Sequence, residues 1–132
     1  MTPPFIWAQI AAVGFGSAVG ALLRWVAALW LNHPNNRLPI GTLLVNCIGG
    51  LLIGMLMVWF ERMPNELLRL LLVTGFLGGL TTFSTFSGES LALIQRGDWA
   101  LALIHTLAHT LGALGCAAGG FGIARGLIQR MV

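Results

Sequence analysis

The chain contains no lysine and only four acidic residues, Glu61, Glu66, Glu89 and Asp98, in 132 positions. Charged residues of both signs make up 8% of it, against about 25% in a soluble domain. That scarcity excludes an ordinary globular protein, because 57% of the residues are apolar and a chain this short cannot enclose so much apolar surface in a watery shell. All seven basic residues are arginines, scattered along the chain. No basic stripe exists for a nucleic-acid partner. Cys47 and Cys116 are the only cysteines and form no CxxC motif, so they read as packing residues that carry no redox information. The N-terminus lacks the positively charged start of a secretory signal, so the first apolar stretch reads as a retained helix.

What the chain does have is long apolar runs. The mean hydropathy is +0.87, and about 20 apolar residues cross a bilayer as a helix. Four such spans fit: Phe5–Leu31, Gly41–Phe60, Leu67–Ile94 and Trp99–Ala124. The expected fold class is therefore an all-α integral membrane protein of four transmembrane helices forming one domain over residues 1–132. A polar turn at residues 32–39, a short loop at 61–66 and Gln95-Arg96-Gly97-Asp98 separate the spans. Trp7, Trp30, Trp59 and Trp99 fall at span ends, where indoles favour the headgroup boundary; Trp25 does not. Glycine pairs four apart occur in every span, at Gly16/Gly20, Gly50/Gly54, Gly75/Gly79 and Gly115/Gly119. In lipid such pairs let helix backbones approach. Gly14-x-Gly16-x-x-x-Gly20 only superficially resembles a dinucleotide loop, since no strand precedes it.

Orientation in a bilayer follows the bias of basic residues. Four spans put Arg62, Arg69, Arg125 and Arg130 on one side and Arg24, Arg37 and Arg96 on the other. Four against three is almost no bias, which predicts insertion in both orientations and, with it, an antiparallel homodimer with a two-fold axis in the membrane plane. Insertion in one orientation, read from a weaker cue, is the competing expectation.

Polar groups inside spans usually face a bundle interior or a wet cavity. The segment Gly78-Gly79-Leu80-Thr81-Thr82-Phe83-Ser84-Thr85-Phe86-Ser87 places five hydroxyls and two phenylalanines in seven positions after a double glycine. Gly78-Gly79 predicts a break in the third helix that frees backbone carbonyls, an arrangement that marks ion sites in discontinuous helices. The bland alternative is an intact helix whose hydroxyls bond back to their own carbonyls. Phe83 and Phe86 share a helix face, and ring edges are electropositive. Asn46 adds an amide donor. His105 and His109, four apart, add ring N–H donors, and Arg24 adds positive charge near a span end. No carboxylate appears in this segment before Glu89. A lining of neutral donors suits a small, strongly hydrogen-bond-accepting anion and suits cations badly.

Gly41-Thr42-Leu43-x-x-Asn46 together with Gly75-Phe-Leu-Gly-Gly-Leu-Thr-Thr-Phe-Ser-Thr-Phe-Ser-x-Glu89 strongly resembles the Fluc-type (CrcB) fluoride channels, and Gly20-x-x-x-Arg24-Trp25 fits their first-helix pattern. The resemblance implies a passive, fluoride-selective channel in the bacterial inner membrane, built as an antiparallel dimer with two pores and exporting cytoplasmic fluoride. It implies that Asn46 lines the pore and that the ion passes along Phe83 and Phe86 beside a hydroxyl track of Ser84 and Thr85. Backbone carbonyls of Gly78 and Thr81 would hold a structural sodium ion at the dimer centre. Arg24 matches a vestibule arginine, and Glu89 the carboxylate after the motif. The fourth helix departs from the family pattern, because His105 and His109 stand where relatives often place a tyrosine and a small hydroxyl or histidine.

Other readings remain open. A small proton-coupled antiporter of four spans needs a carboxylate in the first helix, which holds only Arg24. A non-conducting membrane assembly protein would use the hydroxyl–phenylalanine cluster for packing alone. A metal at His105 and His109 lacks an evident third ligand and a HExxH acid. No nucleophile–base pair supports an enzyme.

Overall fold

Four apolar segments of about 20 or more residues, without the alternation and short length of barrel strands, form helices in lipid, since a helix satisfies every backbone N–H and C=O within the segment. The computed structural model describes residues 4–33 and 37–130 and is helical almost throughout. Pro34, Asn35 and Asn36, part of the expected polar turn, lie outside the described residues. The first helix is Pro4–Leu31, the second Ile40–Arg62, and the last Trp99–Arg130. The third span, Glu66–Gln95, is in two pieces. The last helix continues past the expected end at Ala124 to Arg130, because Arg125 and Arg130 can reach water from a helix that outruns the hydrocarbon.

The first half of the third span starts at Asn65, whose side chain accepts the Leu68 N–H at 2.9 Å as an N-cap. It runs through Glu66–Arg69, widens into π-helical turns over Leu70–Leu77, and closes with Gly78–Leu80. The break therefore falls after the double glycine. Gly78 is helical (φ −62, ψ −35), whereas Thr81 (φ −85, ψ 157) and Thr82 (φ −151, ψ 119) are extended. Hydroxyl chemistry decides the position: Thr82 Oγ1 accepts the Thr85 N–H at 3.1 Å and restarts the helix at Phe83 as its N-cap. The second half, Phe83–Gln95, ends in a tight turn where Gly97 takes φ +82, while Asp98 N–H reaches back to the Leu93 carbonyl at 3.0 Å.

Small residues set the packing. The first helix lies on the first half of the third span. A Cβ at Gly16 would come within 2.8 Å of Phe76 N, and one at Gly20 within 2.7 Å of Leu80 N. On the second helix, a Cβ at Gly54 would come within 2.8 Å of Phe121 N in the last helix. The last helix answers with Gly120, set against Leu51. Gly115 and Gly119, the glycine pair of this span expected to let a helix backbone approach, have nothing within 4 Å of a hypothetical Cβ; they occupy the face turned away from the protomer.

The interior is small. Val45, Leu77 and Leu80 form its apolar centre, with Leu52, Ile53 and Phe76 against them. Large apolar side chains, all five tryptophans included, point outward, as a lipid solvent requires. Among the described residues, the buried polar side chains are Thr42, His105 and His109, at 3%, 2% and 4% exposure. They gather where the second half of the third span meets the second and fourth helices.

Candidate ion pathway

Asn46 faces the break. Its Oδ1 accepts the Thr82 N–H at 2.8 Å, and its Nδ2 donates to the Thr82 carbonyl at 3.1 Å. A side chain thus supplies what the helix no longer does. In an unbroken helix the Thr82 N–H would go to the Gly78 carbonyl and the Thr85 N–H to the Thr81 carbonyl. Here they go to Asn46 and to Thr82 Oγ1. The Gly78 and Thr81 carbonyls have lost those helical donors. The Gly79 carbonyl is taken by Arg24 Nε at 3.0 Å, so Arg24 braces the break.

The two amide contacts to Thr82 fix which way the Asn46 side chain points, and this fixes a proton elsewhere. Asn46 Nδ2 also lies 3.1 Å from His109 Nδ1. Because Nδ2 can only donate, His109 Nδ1 accepts, and the ring proton of neutral His109 sits on Nε2. That Nε2 is buried and has no hydrogen-bond partner.

Phe86, 8% exposed, stacks on both histidines, with centroids 4.7 Å from His109 and 5.5 Å from His105. Phe83 meets Phe86 edge-on at 5.4 Å and is itself 78% exposed. Ser84 and Thr85 are exposed beside it. Thr82 Oγ1 lies 3.3 Å from Ser84 Oγ and 3.0 Å from Thr85 Oγ1. The five hydroxyls therefore divide. Thr81 and Ser87 bond back to the carbonyls of Leu77 and Phe83, at 2.8 Å each, while Thr82, Ser84 and Thr85 form a small hydroxyl cluster.

Glu89 belongs to a second network one turn further on. The Gly41 N–H donates to Asn32 Oδ1 at 2.7 Å, Asn32 Nδ2 to Thr42 Oγ1 at 3.3 Å, and the Thr42 hydroxyl to Glu89 Oε1 at 2.6 Å. Glu89 Oε2 lies 3.4 Å from His105 Nε2, and His105 Nδ1 lies 3.0 Å from Ser90 Oγ. Burial costs a carboxylate its hydration, and the Thr42 hydroxyl offsets part of that loss.

A cavity of ≈ 550 Å³ opens along this wall. Asn46, Gly78, Thr81, Thr82, Phe83, Phe86 and His109 line it, together with Thr110 and with small and apolar residues of the second, third and fourth spans. Ser84, Thr85, His105, Glu89 and Arg24 do not: the first two are exposed, His105 lies against Phe86 and His109, Glu89 faces His105, and Arg24 is held on the Gly79 carbonyl. Among the described residues, no charged side chain lines the cavity. Sequence reasoning missed Asn32, Thr42, Thr82 and Ser90 as network members. Thr42 stands one turn before Asn46, and Thr82 has the form of an N-cap, so those two had a signal. Asn32 and Ser90 had none beyond polarity.

A membrane bundle with a broken span, a side-chain clamp at the break and an uncharged polar cavity defines a class: membrane proteins whose discontinuous helix borders a pathway for a small solute. The family profile "CrcB-like protein, Camphor Resistance (CrcB)" matches residues 11–121. The chain belongs to this CrcB-like family. Among curated relatives, a "Fluoride-specific ion channel FluC" of Aromatoleum aromaticum is 51% identical over 105 residues, covering 78% of this chain and 80% of the relative. Proteins of the same name from Marinobacter nauticus and Chromohalobacter salexigens are each 46% identical, covering 88% and 90% of this chain and 94% and 90% of their own lengths.

Proposed function

We propose that the chain is a passive, selective fluoride channel that exports cytoplasmic fluoride through the bacterial inner membrane, with two pores in an antiparallel homodimer. Its relatives carry the name of fluoride-specific channels. The observation that carries the reading here is the cavity wall: neutral donors and aromatic edges, with no fixed charge. Fluoride is small and tightly hydrated, so replacing its water takes several donors at short range. A buried cation in the path would hold the ion too well, and conduction needs sites weak enough to release it. The Asn46 amide, the His109 Nε2–H and the edges of Phe83 and Phe86 offer many modest contacts, with Ser84 and Thr85 continuing the donors along the outer face. His105 supports the stack from behind. Export follows from chemistry: hydrogen fluoride enters as a neutral weak acid, ionises in a less acidic cytosol, and leaves as the anion.

The dimer has its own support. Phe83, Ser84, Thr85, Ser87 and Gly88 are exposed on the second half of the third span, where hydroxyls facing acyl chains are costly. A second copy covers them and completes the wall of each pore. The near-balance of arginines supports the antiparallel arrangement. The exposed Gly78 and the released carbonyls of Gly78 and Thr81 have the oxygen-only chemistry that a hard cation takes. Two copies of this set around the two-fold axis fit a structural sodium ion, which would tie the breaks together.

The test is efflux from liposomes holding the purified protein, read with a fluoride electrode. Fluoride should leave passively and electrogenically, and much faster than chloride, given the several donors a tightly hydrated ion needs. Equal chloride flux defeats the reading.

A further inference from the structure

Among the described residues, three buried side-chain atoms make no hydrogen bond: Glu89 Oε2 and His105 Nε2, which face each other at 3.4 Å without hydrogen-bond geometry, and His109 Nε2. They are not dispersed. One ligand atom from each of these residues lies within 4.8 Å of the other two, and both imidazoles are more than nine-tenths buried. Two buried imidazoles and a carboxylate clustered this closely in a dry interior, each with a polar atom that lacks a hydrogen bond, mark a place for something held between them. We propose that Glu89, His105 and His109 form a binding site for a divalent transition-metal ion of the zinc class, and that the metal blocks the pathway it adjoins.

The donor set selects the ion. Two imidazoles and a carboxylate suit zinc, copper or nickel, whereas magnesium and calcium take oxygen ligands. Three protein ligands leave a tetrahedral zinc one open position. Tetrahedral bonds of about 2.0–2.1 Å place ligand atoms roughly 3.3 Å apart, and the Glu89–His105 edge is already 3.4 Å. Two of the three ligands already have outer partners: Thr42 orients the carboxylate through Oε1 at 2.6 Å, and Ser90 sits 3.0 Å from His105 Nδ1, as ligating groups require.

His109 couples the site to the pathway. To ligate through Nε2 its ring proton must move to Nδ1, the atom that now accepts from the Asn46 amide. Asn46 can meet an Nδ1–H only by turning its carbonyl oxygen toward it, which releases Thr82. Metal binding and the clamp on the break therefore exclude each other. The metal would also place a fixed cation beside Phe86, trapping an anion at its open position. The site itself does not depend on the proposed function; only the block does.

The purified full-length chain in detergent is titrated with Co²⁺, read by its visible d–d absorption, and with Zn²⁺ in competition. One Co²⁺ per chain should give the intense band of tetrahedral coordination, displaced by Zn²⁺ and untouched by Mg²⁺. His105→Gln and Glu89→Gln should each weaken binding more than about tenfold, while His33→Gln, in the first loop, should not. Size-exclusion profiles like the wild type's establish that the variants are folded. In liposomes, Zn²⁺ should slow fluoride efflux and EDTA should restore it. No tetrahedral band, or a band unchanged in both cluster variants, overturns the site. A cluster that holds only water gives the first of these results. A band without any fluoride efflux leaves the site standing and defeats the channel reading instead.

Discussion

Asn46 and Thr82 are joined twice, by the Thr82 N–H to Asn46 Oδ1 at 2.8 Å and by Asn46 Nδ2 to the Thr82 carbonyl at 3.1 Å. The amide thus stands in for a missing helical turn. It also hands its remaining donor to His109, so one side chain holds the break open and sets the proton of the neighbouring ring.

Asn46→Asp keeps the shape and removes both Nδ2 contacts. A carboxylate oxygen then faces the Thr82 carbonyl and His109 Nδ1. Breaking a buried hydrogen-bond set of this kind costs about 1–3 kcal/mol, and the new negative charge repels an anion. Fluoride efflux should fall at least about tenfold, since 1.4 kcal/mol in a barrier is already a factor of ten. Wild-type flux from this variant, measured with the electrode, would remove Asn46 from the pathway.

Phe83 and Phe86 separate stability from transport. Phe83 is 78% exposed in the protomer and Phe86 8%. Phe83→Ile should leave the thermal unfolding of the protomer almost unchanged yet sharply reduce efflux, because it removes a ring edge. Phe86→Ile should lower both, since its ring holds the two histidines. Equal unfolding midpoints for the two variants would contradict this division.

The glycine contacts make a contrasting pair. Gly54→Ala pushes a methyl group onto the last helix, near Phe121 N, and overpacking of this kind costs about 1–3 kcal/mol. Gly119→Ala meets open space and should leave protomer stability as it is. Thermal unfolding in detergent distinguishes them; equal midpoints would mean that the second and fourth helices are not so closely apposed.

Met63 is exposed on the loop between the second and third spans. In a background lacking Cys47 and Cys116, Met63→Cys tests orientation in intact cells with an impermeant thiol reagent. Insertion both ways predicts labelling of about half the copies, following the near-equal arginine count. Complete labelling or complete protection would establish a single orientation.

Much of this was legible in the residues themselves. Four apolar runs imply four helices because runs this long lack the alternation of barrel strands and only a helix then satisfies their backbone in lipid, and the crowding of hydroxyls after Gly78-Gly79 located the disturbed span. The exact break was less visible. It depends on Thr82 capping the next helix while Asn46, 36 positions earlier, takes the freed N–H, and only the first of these is local. The third metal-capable group was missed for the same reason. Glu89 and His105 are on different helices, and no spacing rule connects them.

By itself, then, the amino-acid order determined the solvent, the number of crossings, the broken third span and the neutral donor chemistry of its flank, all properties written in composition and short-range pattern. Only the tertiary structure decided that Gly120, and not Gly115 or Gly119, meets the second helix, that His109 carries its proton on Nε2, and that Glu89 closes on His105. Those outcomes depend on the rotation of each helix about its axis. That rotation is set jointly by the π turns, the break and the packing of the other helices, so no single segment encodes it.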